Sequence, residues 1–509
     1  VLAARQVAGR LNQQIFDTSR LQSAIDACPV GQAVELADDG VNNAFLTQPL
    51  TLKAGVTLLV DADVTLFGSG NKADYQCSRS KNRCTPLIAV AGNTAPNPGS
   101  AIMGYGVIDG QGAGWWCDGC DPRPGLVELG FPRNSDGFVA YKITLQNAPI
   151  YTLYGHGDDV TIWDVKISNP NNSPNTDGID PSASADWTIT RSYISDGDDQ
   201  IALKAGDGPV SNITISANHF YSGHGVSIGS ETKEGVNNVL VTDNVIDQTG
   251  CPACSSGNDV RIKADVSSGG VVQNVLYQNL CIRNGSAQPH EIVFDPVYDP
   301  AATGNGIPFF HDIHLRNVHM VDAGDYSTLA GFDAQHPLTL TLDNVVFDEF
   351  NPRDFTNARD AKGAFTRNAR VTLGPGPVSF AAALRAATTA DPSVTVVDQI
   401  ANHDPPYDCA GKFTSLAGEL TGAAGPIAAG QPEILTAIVQ TIVNPATPPT
   451  GIISILDNGQ PVASAPYAGR ITRLTIPNVS AGHHHYTARY SGDPVYAPFT
   501  FGSFSTTAN

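Results

Sequence analysis

Between about residues 50 and 348 the chain alternates apolar and polar positions in short runs, each closed by turn-forming residues. Val160-Thr161-Ile162, Ile189-Thr190-Arg191, Ile213-Thr214-Ile215, Val239-Leu240-Val241, Val275-Leu276-Tyr277 and Ile313-His314-Leu315 are such runs, and the last four are each followed by an asparagine, Asn218, Asn244, Asn279 and Asn317. Asn218 to Asn244 is a step of 26 residues and Asn317 to Asn344 one of 27, while the intervening steps of 35 and 38 read as the same unit carrying loop insertions. No amphipathic helical pattern separates the runs, so each unit is expected to be one coil of a parallel β-helix with alternate Val, Ile and Leu side chains stacked inside. The recurrent asparagine predicts a hydrogen-bonded ladder at a bend, a structural device, since Asn tolerates left-handed backbone and bonds its own neighbours in turns.

The ends of this array read differently. Asp17 to Cys28 places Leu21, Ala24 and Ile25 on one helical face, which fits a helix capping the first coil. After about residue 400 the repeats fade into Gly411-Lys412-Phe413 and the small-residue stretch Gly422-Ala423-Ala424-Gly425-Pro426, which reads as a linker. The expected division is therefore a solenoid over 1–425 and a second domain over 426–509. In the latter, alternation resumes between turn signals at Pro448-Pro449, Asp457-Asn458-Gly459, Ala481-Gly482 and Ser491-Gly492-Asp493-Pro494, the texture of a β-sandwich. These turns, with Pro449-Thr450-Gly451 and the run through Tyr496, resemble a bacterial immunoglobulin-like repeat. His483-His484-His485 invites a metal reading, but adjacent strand residues point to alternate faces and suit one ion poorly.

Composition narrows the functional classes. The chain has 509 residues with 50 Gly, 35 Pro and only 15% charged residues, which agrees with a mostly β protein of two domains. A formal charge of -20 argues against nucleic acid or an anionic membrane as partner, and a polyanionic ligand would need a local positive groove. No apolar run reaches the length of a membrane span, and the start at Val1-Leu2-Ala3-Ala4 reads as a processed or trimmed form. Of nine cysteines, Cys77 with Cys84, Cys117 with Cys120 and Cys251 with Cys254 form close pairs, leaving Cys28, Cys281 and Cys409 unassigned. Two of the pairs have zinc-knuckle spacing, but they lie far apart without a His pattern, so short disulfide loops of an exported protein are the expectation.

Four clusters follow one another along the solenoid: Asn175-Thr176-Asp177-Gly178, Gly197-Asp198-Asp199, Gly223-His224-Gly225 and Arg261-Ile262-Lys263. Asp177 to Asp199 spans 22 residues and Asp199 to His224 spans 25, each close to one coil, so the three should stack on neighbouring strands. Carboxyls so close resist ionising together, and one of them should hold its proton well above the usual range, as a general acid requires. Glycoside hydrolysis needs such an acid on the leaving oxygen and a second carboxylate on water or on the anomeric carbon. Consecutive Asp198 and Asp199 in a regular strand would bury one charge, so an irregular corner is expected after Gly197. Arg261 and Lys263 flank Ile262 and should project from one face, where two cations suit a carboxylated sugar. Each cluster alone is more often structural, and Gly155-His156-Gly157-Asp158-Asp159 is a decoy without surrounding acids and cations.

In order and flanks the clusters resemble the polygalacturonases of glycoside hydrolase family 28, with further matches at Gly106-Val107-Ile108-Asp109-Gly110-Gln111-Gly112, Trp115-Trp116 and Val226-Ser227-Ile228-Gly229-Ser230. The resemblance spans about residues 15 to 415 and implies a right-handed parallel β-helix, making the expected fold all-β with an N-terminal capping helix and a C-terminal immunoglobulin-like sandwich. It implies that Asp198 is the general acid, that Asp177 and Asp199 activate water with inversion at the anomeric carbon, and that His224 tunes the acid's protonation. Asn175, Arg261 and Lys263 would hold galacturonate near the cut and Tyr298 would stack on a sugar. Family members also tend to carry a cysteine just ahead of this chain's first residue, paired with the counterpart of Cys28. The expectation is a secreted, extracellular, monomeric hydrolase of polygalacturonate in pectin, endo-acting, with no metal or cofactor. The alternatives are an exo-polygalacturonase, a xylogalacturonan hydrolase, a calcium-dependent pectate lyase and a non-catalytic sugar-binding or adhesive β-helix.

Overall fold

A computed structural model describes the chain except residues 81, 94–98, 118, 132–133, 251–256, 284–288, 323–325, 349–364, 424 and 442–447. It divides into two compact units, Val1–Lys412 and Phe413–Asn509.

In the first unit every coil repeats a short strand, a corner, and one or two further strands. One coil runs through β1 (Ile179–Pro181), Ala185–Thr190 and Tyr193–Ser195, and the next begins at β2 (Ile201–Leu203). Among the described residues the strands of successive coils pair in parallel, in a sheet of 11 strands and a larger one of 22. The 11-stranded sheet carries β1, β2, β3 (Val226–Ile228), β4 (Gly257–Lys263) and β5 (Pro289–Asp295) in succession. Ile179 pairs with Ile201, Ile201 with Val226 and Val226 with Val260. These residues point inward, and Ile179, Ile201, Leu203, Val226, Ile228, Val260, Ile262 and Phe294 belong to one continuous buried core. Period-2 patterning therefore leaves Asp180, Ala202, Ser227 and Arg261 facing outward along one row.

The asparagines form two ladders rather than one. Asn218 and Asn244 are buried, with the Asn218 amide donating to the Ile189 carbonyl (3.0 Å) and that of Asn244 to the Ile215 carbonyl (2.9 Å). Asn279, Asn317 and Asn344 instead take left-handed backbone, at φ 54°, 52° and 54°. Their row continues backwards through Asp243 and Ala217, at φ 58° and 55°, one residue before Asn244 and Asn218. The apparent step from Asn244 to Asn279 thus crosses rows, and the true in-row partner of Asn279 is Asp243, which accepts its amide at 3.1 Å.

The N-terminal helix spans Thr18–Ala27, with Leu21 and Ile25 buried and Ala24 packed against the core. A second helix, Ala381–Ala390, buries Ala381, Ala383, Leu384 and Ala387 near the last coils. It was not legible in the sequence, because the face it buries is alanine apart from Leu384. Disulfides join Cys77 to Cys84, Cys117 to Cys120 and Cys281 to Cys409, Cys28 is a buried free thiol, and Cys251 and Cys254 lie outside the described residues.

The second unit has two antiparallel sheets. Leu416–Thr421, Glu433–Thr441 and Ile471–Ile476 make one, and Gln460–Pro466, Ile452–Asp457, Gly482–Tyr490 and Phe499–Ala508 the other, over a core that includes Leu435, Val439, Ile453, Tyr486 and Tyr490. Its first strand precedes the small-residue stretch, which connects two paired strands, so this unit begins at Phe413 rather than at 426. In the histidine triplet, His484 is buried and bonds Asp457 at 2.6 Å, whereas His483 and His485 are exposed.

Candidate active site

The outward face of β1 to β4 and the corners leading into these strands gather the polar side chains. Extending the register back two residues from Ile179, Ile201 and Val226 aligns Asp177, Asp199 and His224 on successive coils. The corner before β2 is irregular. Asp198 receives no strand partner, its backbone N–H donates to Asp196 at 3.2 Å, and the Asp199 N–H donates to the Asp198 carboxylate at 2.9 Å. Gly197 is required there, since a Cβ would lie 2.0 Å from the Ser173 carbonyl oxygen. The Gly197 N–H donates to the Thr176 hydroxyl (3.1 Å), which locks this corner to the one bearing Asp177. On the following coil Gly223, at φ 136°, lets the chain pass close to Asp198, and the His224 N–H donates to the Asp198 carbonyl at 2.7 Å.

Each carboxyl has a distinct environment. Asp199 is buried, accepts the Ser227 hydroxyl at 2.6 Å, and is paired with Lys263 at 2.9 Å and Arg261 at 3.3 Å. Burial pushes its carboxyl up, but the charges of Lys263, Arg261 and His224 and the Ser227 hydrogen bond outweigh burial and hold it well below the ordinary range. Asp198 is the most exposed of the three, its side chain 21% accessible. His224 Nδ1 lies 3.3 Å from one of its oxygens and the Asn175 amide 3.4 Å from the other. Burial raises this carboxyl and Asp199 opposes its ionisation, yet the bond and charge of His224 with help from Lys263 leave it lowered. Asp177 is buried and pushed up to about 6, chiefly by burial, with Lys204 pulling down and Asp198 and Asp199 pushing up. The raised carboxyl expected among the three aspartates is thus Asp177, whereas Asp198 is lowered by its partners.

Around this centre Asn175 adopts left-handed backbone, at φ 53°, and its side-chain oxygen accepts Arg123 at 2.8 Å. Tyr298 is exposed, with its ring centroid 5.4 Å from the Arg261 guanidinium and 5.1 Å from the Lys263 ammonium. Beyond Asn175 a groove continues over the preceding coils, lined by Arg83, Arg123, Glu128, Tyr151, Tyr154 and His156. His156 belongs to the decoy cluster and bonds the Ser182 carbonyl, while Asp158 accepts the Ala185 N–H, both structural bonds.

The eight residues singled out from the sequence are therefore brought into one cluster, and Arg261 and Lys263 neutralise Asp199 within it. Sequence reasoning missed Lys204 and Asp180, which pair at 3.3 Å beside Asp177, and Asp196, a fully buried carboxyl raised well above its ordinary value by burial and then by Asp177. Asp198, Asp199 and His224 lie close enough to share an ion. The donor set does not fit calcium, which takes oxygen ligands, since one member is an imidazole and Asp199 already faces two cations.

Clustered acids beside fixed cations, on the outer face of a parallel β-helix, define a polysaccharide-cleaving enzyme. The profile of glycosyl hydrolases family 28 matches residues 39–347 and that of the bacterial Ig-like domain (group 3) matches residues 420–509. A polygalacturonase of Ralstonia nicotianae is 37% identical across 79% of this chain and 85% of its own length. An endo-polygalacturonase of Pectobacterium carotovorum subsp. carotovorum is 36% identical across 64% of this chain and 83% of its own. The solved polygalacturonase from Erwinia carotovora ssp. carotovora superposes with a TM-score of 0.60 at 30% identity, covering 72% of this chain and 96% of that one. The chain belongs to glycosyl hydrolase family 28 and is a glycoside hydrolase.

Proposed function

We propose that this hydrolase cuts the α-1,4 bonds of polygalacturonate within the chain, with inversion at the anomeric carbon. The observation that carries the reading is the clustering of Asp177, Asp198 and Asp199 with Arg261 and Lys263 beside them. Asp198, the carboxyl most open to the groove, donates to the leaving oxygen, and the proton it delivers is shared with His224 across their 3.3 Å contact. Asp199, held ionised by its cations, and Asp177 orient and deprotonate the attacking water. The galacturonate carboxylate is drawn by Arg261 and Lys263, with Tyr298 as a stacking face. Internal cleavage is supported by a groove that extends from Asn175 back to Arg83, which leaves room for sugars on that side of the cut. Disulfides accord with an exported protein, and no helix among the described residues is long and apolar enough to cross a membrane. The enzyme acts outside the cell, as a monomer.

The test is Asp198→Asn on polygalacturonate. Loss of the general acid is expected to lower kcat by at least about 100-fold with KM little changed. A variant within a few-fold of the parent would move the acid's role elsewhere.

A further inference from the structure

Lys204 follows β2 with its side chain outward and reaches back one coil. Its ammonium lies 3.0 Å from Asp177 and 3.3 Å from Asp180, over the ring of Tyr151 at 4.7 Å from its centroid. The two carboxyls it bridges are among the most buried polar groups of the groove, Asp177 at 4% and Asp180 at 0% exposure. One cation thus serves two buried acids, and among the described residues Asp177 Oδ1 and Asp180 Oδ1 have no hydrogen-bond partner.

We propose that Lys204 is a positioning residue for hydrolysis, which holds Asp177 at the groove and keeps it ionised so that it can take a proton from water. The inference rests on the reading of Asp177 as part of the water-activating pair. Its physical basis is the crowd of like charges. Asp177 faces Asp180 from its own coil, Asp196, Asp198 and Asp199 from the next, and the Tyr151 hydroxyl from the one before, while Glu231 lies near Lys204 on the far side. Among the groups acting on Asp177, Lys204 is the principal one favouring its charge. Arg261 and Lys263 are committed to Asp199 and do not replace it. Asp180 shares the ammonium and is itself raised well above the ordinary range, by burial first.

The sign follows directly. A base must be ionised, so the factor Asp177 contributes to kcat/KM rises with pH through its titration, placed at about 6 in the parent. Removing a positive charge in contact with it shifts that titration to higher pH, by at least about one unit. The experiment is the pH dependence of kcat/KM on polygalacturonate for the full chain, with Lys204→Met, Lys204→Gln and Lys204→Arg, each checked for a parental melting profile. The acidic limb is expected to move up by one unit or more in Met and Gln, so that activity at pH 5 falls at least about tenfold further than at pH 8. Lys204→Arg should leave the limb near its original place. Met or Gln variants that fold and lose activity equally at every pH, or keep the parental limb, overturn the inference. Asp177→Asn separates the two levels: if it is inactive while the Lys204 variants keep their limbs, only the role of Lys204 fails, and if it stays active the underlying reading fails with it.

Discussion

Asp199 sets the logic of the site at the scale of single residues. A carboxylate buried at 2% exposure would be costly alone, but Lys263 and Arg261 pair with it and Ser227 bonds it, so it stays charged despite its burial. This changes what the two cations are expected to do. From sequence they read as substrate binders, and their removal should raise KM. Because they are also bound to Asp199, Lys263→Met is expected to raise KM several-fold and to lower kcat by at least about tenfold as well, measured in steady-state kinetics on polygalacturonate. An effect confined to KM would mean that the pairing with Asp199 is idle in catalysis. The acids, the histidine and the cations were legible because motif order and one-coil spacing place them together. Lys204 and Asp180 were not, because their importance comes from the outward register of β1 and β2, which brings residues 24 apart into contact only once the coils are aligned.

At the scale of elements, short coils are held by core stacking inside and asparagine ladders at the bends. The sequence pattern revealed the coils but merged two ladders, since a left-handed bend admits Asp243 and even Ala217 where Asn is usual, and the row then loses its marker. The pairing of Cys281 with Cys409 was equally hidden. It depends on the segment after Val394–Asp398 turning back over earlier coils, where the Tyr407 carbonyl meets His319 at 2.8 Å and the Pro405 carbonyl accepts Asn344 at 3.1 Å. This disulfide closes a loop of 128 residues, a span for which chain entropy gives up to about 4–5 kcal/mol. Replacing both cysteines by serine is expected to lower Tm by several degrees in thermal unfolding while leaving kcat unchanged, because the bond lies outside the catalytic groove. An unchanged Tm would show that the returning segment is held by its hydrogen bonds alone.

At the scale of the whole molecule, an acidic protein of net charge -20 presents to an acidic polymer a local pair of cations, Arg261 and Lys263, beside its clustered acids. All the groups proposed for catalysis lie in the unit Val1–Lys412, which has its own core, and the sandwich of Phe413–Asn509 has a second. The proposed inversion requires acid and water-activating carboxylates on opposite sides of one sugar ring, and the first-formed product reports this directly. Proton NMR of polygalacturonate during the earliest turnover, before mutarotation, is expected to show the β-anomer at the new reducing end. Initial appearance of the α-anomer would contradict the account and require a covalent glycosyl-enzyme in place of an activated water.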